Sequence, residues 1–380
     1  MTALTDILDR AVAAQDAPFL VAMTGSSAGE IWAHAAGNAA PDQPASRDTV
    51  FRIFSMTKAV GSVAAAILVD DGQITLDTPV AEILPEWDDL QVLTGWDGDT
   101  PLTRPQATQA TIRHLATHTS GLEYEVWNAD VTKWMRVTGA QLAPSGQKAA
   151  LHQILSSDPG TRWGYGPSID WLGQVVEAVD GRRIDQFCRD EIFVPLGMTS
   201  TVFEPDPVAD RLSQVSSRTP DGGLTPIDIA PPAQPEFYGM GHALYSSAPD
   251  YLRFLRMVLN RGMLDGQRIL SPTGCEILLT DQMQGLQFRD MVTVDPRTAC
   301  SVGYAGRPMT HSFAFLRNDD DWPHKRSAGS LGWAGLCNTH FWIDPTRDLC
   351  AVLMTQSLPF LDPRFAKVYD RFERAVYAGG

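Results

Sequence analysis

Cysteine is scarce in this chain of 380 residues. Five stand at 188, 275, 300, 337 and 350, an odd number, widely spaced and without a C-x-x-C pair. That pattern argues against both a disulfide framework and a zinc site. Histidine is sparse too, and no two histidines have H-E-x-x-H or similar spacing, so no metal is expected. His114, His118 and His242 sit near apolar segments and read as hydrogen-bonded structural residues. Positive charge is in deficit: 30 Lys and Arg against 45 Asp and Glu leave a net −15, which argues against a nucleic-acid partner. An acidic surface of this kind serves solubility and says nothing of the substrate. No apolar run approaches membrane-spanning length, and the N-terminal residues lack the basic region and apolar core of a signal peptide. The expectation is a soluble cytoplasmic protein without a membrane partner. Internal repeats and low-complexity tracts are absent as well.

What is present reads as globular, with 44% hydrophobic and 20% charged residues. Leu4, Ile7, Leu8 and Val12 repeat at helical spacing. Strands are expected at 19–24, 31–35 and 50–54, then a helix from Ser55 to the stop signal Asp70-Asp71-Gly72. The middle is loop-rich, with helices expected at 111–117, 147–156, 168–179 and 184–194. A helix over 248–260 carries Tyr251, Phe254, Leu255, Val258 and Leu259 on one face. Strands are expected at 312–316, 336–344 and 349–355, and a closing helix at 363–378. Strands near both ends imply an α/β fold of α+β type, an antiparallel sheet flanked by helices. Residues 1–75 and 240–380 would build it, and 76–239 would form a mostly helical insert.

Ser55-Met56-Thr57-Lys58 is the most informative stretch. A serine hydroxyl is a poor nucleophile until a base removes its proton. A lysine three positions along a helix lies on the same face, one turn on, and can reach the serine oxygen. Buried lysine amines near other cations can serve as bases. The run after it, from Ala59 to Val69, is almost wholly apolar or small, so a lysine at its mouth needs a reason. Gly25-Ser26-Ser27-Ala28-Gly29 matches the G-x-S-x-G nucleophile elbow, but an alternating strand follows it where the elbow needs a helix. Ser27 therefore reads as a hairpin-turn residue.

Tyr165 precedes Ser168, a plausible N-cap for the following helix. Its ring could pack under the loop, or its hydroxyl could relay a proton. Small residues in Gly332-Trp333-Ala334-Gly335 would let a ligand approach the backbone, or serve only as packing glycines.

Together, Ser55-Met56-Thr57-Lys58, Tyr165 and Trp333-Ala334-Gly335 resemble, in kind and order, the motifs of the serine β-lactamase and penicillin-binding-protein superfamily. The phrases His114–Leu122, Pro195–Met198, Gly241–Ser247 and Trp342–Pro345 are similar to those of the family VIII carboxylesterases, which are like class C β-lactamases. The resemblance implies a β-lactamase/transpeptidase-like fold with Ser55 as the acylated nucleophile and Lys58 and Tyr165 as its proton partners. It implies an oxyanion hole from the backbone N–H groups of Ser55 and Leu336. Trp333, Ala334 and Gly335 would bind substrate, and Tyr124 would form part of the cleft wall. No cofactor is implied. Two departures matter. β-Lactamases carry an Asn where this chain has Pro167, and the Lys of K-T-G where it has Trp333. A cation and an amide have become apolar, which suits a short, uncharged ester. Ala334 also departs from the W-G-G usual in these esterases. The expected function is ester hydrolysis through an acyl-enzyme on a small-molecule substrate. An acyltransferase, a weak β-lactamase and a non-catalytic penicillin-binding sensor are the alternatives.

Overall fold

The computed structural model describes residues 2–379. Its principal elements, in chain order, are α1 (Thr2–Ala13), β1 (Phe19–Gly25), β2 (Glu30–Ala40), β3 (Gln43–Pro44), α2 (Thr57–Asp70), α3 (Ser168–Asp180), α4 (Ala248–Leu259), β4 (Met309–His311), β5 (Leu316–Asn318), β6 (Leu331–Gly335), β7 (Thr339–Asp344), β8 (Leu349–Met354) and α5 (Pro363–Tyr377). The eight strands form one antiparallel sheet in the order β4-β5-β6-β7-β8-β1-β2-β3. The last strand of the C-terminal run thus pairs with the first strand of the chain, Val21 opposite Met354. This is the mixed fold with an antiparallel sheet and flanking helices that the strand pattern implies.

Both faces of the central strands are covered, so they carry continuous apolar runs instead of alternation. Every residue of β1 and β7 is buried. On one face Leu4 and Leu8 of α1 and Phe365, Val368 and Phe372 of α5 pack on Leu20, Trp342 and Leu353. Each such fully buried apolar side chain contributes about 1.5–3 kcal/mol. On the other face the larger core joins the sheet to α2, α3 and α4. Helix α2 lies inside that core: Thr57 to Leu68 are all buried. Gly61 lets it sit tight against the Met240 side chain, where a Cβ would stand 2.7 Å from Met240 Cβ.

Residues 76–239 contain α3, shorter helices, and small hairpins such as Val92–Asp97 with Thr100–Arg104. Strand Val215–Arg218 pairs in parallel with Ser357–Leu358. Several local expectations fail for identifiable reasons. Residues 147–156 make only a short 3₁₀ turn at Lys148–Leu151, because Leu155 exchanges backbone hydrogen bonds with Gln91 and Leu93. Residues 312–316 span the turn between β4 and β5, where the Ser312 hydroxyl accepts from the Ala314 and Phe315 N–H groups. The strand expected at 336–344 starts at Thr339, since Leu336-Cys337-Asn338 is the β6–β7 turn and Asn338 has φ +63°. Helices Ala129–Thr138 and Pro272–Leu279 were not expected; Asn128 and Ser271 cap them. Among the described residues no helix is long and apolar enough to cross a membrane.

One contact sets the sheet against the Ser55 turn. Gly335, ending β6, lies so close to the Ile53 carbonyl oxygen and Thr339 Oγ1 that a Cβ would collide with both. Replacing Gly335 with Ala should push the strand end away from Ser55. Overpacking of this kind costs about 1–3 kcal/mol. Reacting groups displaced by about 1 Å lose on the order of a hundredfold in rate. Gly335→Ala should therefore lower both the Tm and the rate at which a serine-directed fluorophosphonate labels Ser55; a variant labelled at the wild-type rate would show that this approach does not position Ser55.

Candidate active site

Ser55 sits in a 3₁₀ turn, Phe54–Met56, that runs directly into α2. The residue before it is strained: Phe54 has φ +40°, which a bulky side chain rarely adopts. Packing of its ring with Val215, Cys337 and Leu358 offsets that cost. Ile53 N–H donates to the Leu244 carbonyl, and Tyr251 Oη donates to the Met56 carbonyl at 2.8 Å. The turn is thus pinned on both sides of Ser55. Such strain concentrates at functional sites.

Lys58 Nζ lies 3.1 Å from Ser55 Oγ and donates to the Gly241 carbonyl at 2.8 Å. Tyr165 Oη lies 2.7 Å from the same Ser55 Oγ. Lys58 is only 3% exposed, with Nζ 5.0 and 5.1 Å from the ring centres of Tyr165 and Tyr124. Tyr124 N–H donates to the Tyr165 carbonyl, which ties the two tyrosine loops together. Burial, with Asp170 nearby, holds the Tyr124 phenol well above its ordinary range, so it stays neutral. Tyr165 precedes α3 without help from an N-cap serine. Ser168 is the first residue of α3, and its hydroxyl bonds Ser120 across the loop at 2.8 Å instead.

Trp333 stands over this cluster, its ring 4.9 Å from that of Tyr165. Ala334 and Gly335 continue the strand along the cavity, and Leu336 follows. Strand β5 pairs with β6 only at Leu331 and Gly332, so the edge of β6 beyond them has no strand partner. Among the described residues no protein acceptor takes up the N–H of Ser55 or of Leu336. The cavity lined by Ser55, Tyr124, Tyr165, Trp333, Ala334, Gly335 and Leu336 holds about 390 Å³.

Two of the three histidines depart from the expected hydrogen-bonded role. His114 does accept, from the Thr111 N–H at 3.2 Å. His118 and His242 have no hydrogen-bond partner for Nδ1, and that of His242 lies 3.9 Å from Asp170 Oδ1. His118 instead packs its ring against Tyr165, Trp333 and His311. Burial, then His311 and Lys58, pushes its imidazole well below the usual range. Burial and Lys58 bring His242 down to about 3. Both are neutral and unable to act as cations. Ser27 lies on the β1–β2 turn, where Asp348 accepts from its hydroxyl at 2.8 Å and from its N–H. No base faces it.

Sequence reasoning missed Asp170. This carboxylate, in the first turn of α3, is 1% exposed. Its Oδ1 accepts from the Gly241 N–H at 2.6 Å, and Gly241 in turn accepts from Lys58. Burial raises its pKa to about 6 against the opposing pull of Lys58 and that N–H. An acid in an otherwise apolar helix start, five residues after Tyr165, was the available signal.

A lovastatin esterase from Penicillium rubens is 31% identical over 365 residues, spanning 88% of this chain and 86% of that one. A monacolin J acid methylbutanoyltransferase from Aspergillus terreus is 29% identical over 350 residues, spanning 88% and 83%. A simvastatin synthase structure from Aspergillus terreus superposes with a TM-score of 0.86 at 26% identity, covering all of this chain and 96% of that one. The Beta-lactamase family model matches residues 4–375, and the chain belongs to that family.

Proposed function

We propose that this protein is a serine esterase of the family VIII type, acting through an acyl-enzyme on Ser55. The observation that carries the reading is the convergence of Lys58 Nζ and Tyr165 Oη on one serine oxygen. Ser55 Oγ holds a single proton and faces two neighbours. Both can donate to it only if its own proton goes elsewhere. Attack therefore needs one neighbour short of a proton, and that neighbour takes the serine proton as the Oγ–C bond forms. The C–O bond to the leaving alcohol then breaks, and the alcohol receives a proton from the same pair. Water reverses the sequence and releases the acid. The free N–H groups of Ser55 and Leu336 are the donors for the developing oxyanion. Family membership and the 31% identity to a lovastatin esterase support this chemistry.

Asp170 is a positioning residue in this scheme. It holds the Gly241 main chain, whose carbonyl holds Lys58. A second reading, transfer of the acyl group to an alcohol, draws support from the acyltransferase relative, and it uses the same acyl-enzyme.

A fluorophosphonate probe should label the Ser55 peptide, and Ser27→Ala should keep most activity; label on Ser27 would overturn the assignment. Lys58→Ala and Tyr165→Phe should each lower kcat by about a hundredfold or more. Their combined loss should fall well short of additive.

On substrates, p-nitrophenyl acetate or butyrate should give a higher kcat/KM than a chromogenic cephalosporin. Trp333 and Pro167 offer neither cation nor amide to the drug. Losing such a charged hydrogen bond costs about 1.5–3 kcal/mol. A cephalosporin value above the ester value would contradict this preference, and new ester formed on adding an alcohol would favour the transferase reading.

On pH, the Asp170 carboxyl becomes protonated below about 6 and loses its charge beside Lys58. Activity should fall on the acid side of that point. The sign for stability is opposite. The folded state binds this proton more tightly than the unfolded chain, whose carboxyl titrates near 3.8, so Asp170 costs stability as pH rises through about 6. Asp170→Asn should therefore flatten the acid limb of kcat/KM and not lower the neutral-pH Tm. An unaltered acid limb in Asp170→Asn would assign it to another group.

A further inference from the structure

His242 stands at the site without a role in the two acyl steps. It is 5% exposed and follows Gly241, whose carbonyl holds Lys58. Its ring folds back over Gly239, where a Cβ would collide with the imidazole and stand 2.9 Å from Asp170 Oδ1. Nδ1 is thereby turned into the core, 3.9 Å from Asp170 Oδ1 and without a hydrogen-bond partner. Nε2 also lacks a protein partner among the described residues, but unlike Nδ1 it is not sealed in. His242 lines the cavity together with Ser55, Tyr124 and Gly241.

The state of this imidazole follows from its neighbours. Burial and then Lys58 lower it to about 3, so near neutral pH the ring carries one proton and not two. Asp170 faces Nδ1 and, once ionised above about 6, attracts that proton to it. A proton on Nδ1 leaves Nε2 a bare acceptor on the cavity side.

A bare acceptor beside an acyl-enzyme tells incoming nucleophiles apart. Water brings two O–H bonds. Its oxygen attacks the acyl carbon, one proton goes to the Lys58–Tyr165 pair, and the second O–H is left over. The C–O bond to Ser55 then breaks, Ser55 Oγ takes the proton back from that pair, and the released acid keeps the other. An alcohol brings a single O–H, whose proton the same pair must take, and in place of the second it presents a carbon. A buried acceptor that faces carbon goes unmet, and sites built to hydrogen-bond a hydroxyl reject partners that lack it.

We propose that His242, oriented by Asp170, selects water over alcohols at the acyl-enzyme, its Nε2 accepting from the O–H that water keeps and an alcohol lacks. His242 removes no proton; it is a specificity-determining residue. The inference rests on the acyl-enzyme reading and decides between its two outcomes, hydrolysis and transfer.

The test is a ratio of products. The protein consumes p-nitrophenyl butyrate in water containing a low, fixed fraction of methanol, and butyric acid and methyl butyrate are measured by gas chromatography. Both products leave one acyl-enzyme, so a general loss of activity or of folded protein cancels from their ratio. Wild type should give mostly acid. His242→Leu should raise the ester-to-acid ratio about fivefold or more, the scale of one hydrogen bond. His242→Gln, whose amide oxygen can accept in place of Nε2, should stay closer to wild type. Asp170→Asn removes the charge facing Nδ1 and should move the ratio the same way as His242→Leu, by less. It leaves the imidazole in place, so it reports even where His242→Leu does not fold. A ratio unchanged in either His242→Leu or Asp170→Asn overturns the inference, as does a His242→Gln ratio as high as that of His242→Leu, or wild type that forms mostly ester. Wild type that releases no p-nitrophenol from any such ester sinks the acyl-enzyme reading itself, a result that no shift in the ratio can imitate.

Discussion

The rest of the site is organised around the burial of the Lys58 amine. A group of that polarity in the core of a domain is tolerated only when its hydrogen bonds are met. Here a backbone carbonyl, a serine hydroxyl and two aromatic faces meet them. Each partner comes from a different part of the chain: Ser55 from the turn before α2, Tyr124 and Tyr165 from the middle loops, and Gly241 from the segment before α4. Satisfying one side chain thus brings four segments together, and Asp170 fixes the last of them through its bond to the Gly241 N–H.

The sheet supplies the other half of the cleft. Strand β6 reaches the Ser55 turn because Gly335 has no side chain, and its edge beyond Gly332 has no strand partner. The strained Phe54 backbone lies at that meeting point. Interaction energy gathered over the large core holds a conformation that the local sequence disfavours. The same strand divides two environments. One face presents Trp333 to the nucleophile, and the other sets Gly332 and Ala334 against Trp342 and His340.

Much of this was legible in the sequence, for definite reasons. The S-x-x-K spacing alone places Lys58 within reach of Ser55, because one helical turn does so in any fold. The apolar run from Ala59 to Val69 announces a buried helix, and long apolar strands at both ends announce a sheet covered on two faces. Pairing of Ser27 with a turn instead of a helix was likewise local information. Elements lost in the reading were those settled by distant partners, such as the 147–156 segment captured by Gln91 and Leu93.

Tyr165 marks the boundary between the two kinds of knowledge. Its own neighbourhood allowed a packing role or a chemical one, and its family pattern favoured the second. Its hydroxyl meets Ser55 only because α2 and α3 pack together, 110 residues apart in sequence. Asp170 was beyond local reading altogether. A buried acid has no motif, and its meaning comes from what surrounds it, the Gly241 main chain. The sequence by itself determined the nucleophile, its lysine and the layered sheet, since all three follow from helical spacing and apolar pattern. Only the tertiary structure decided which distant polar groups converge on the cavity, because that depends on how the chain returns to the same point in space.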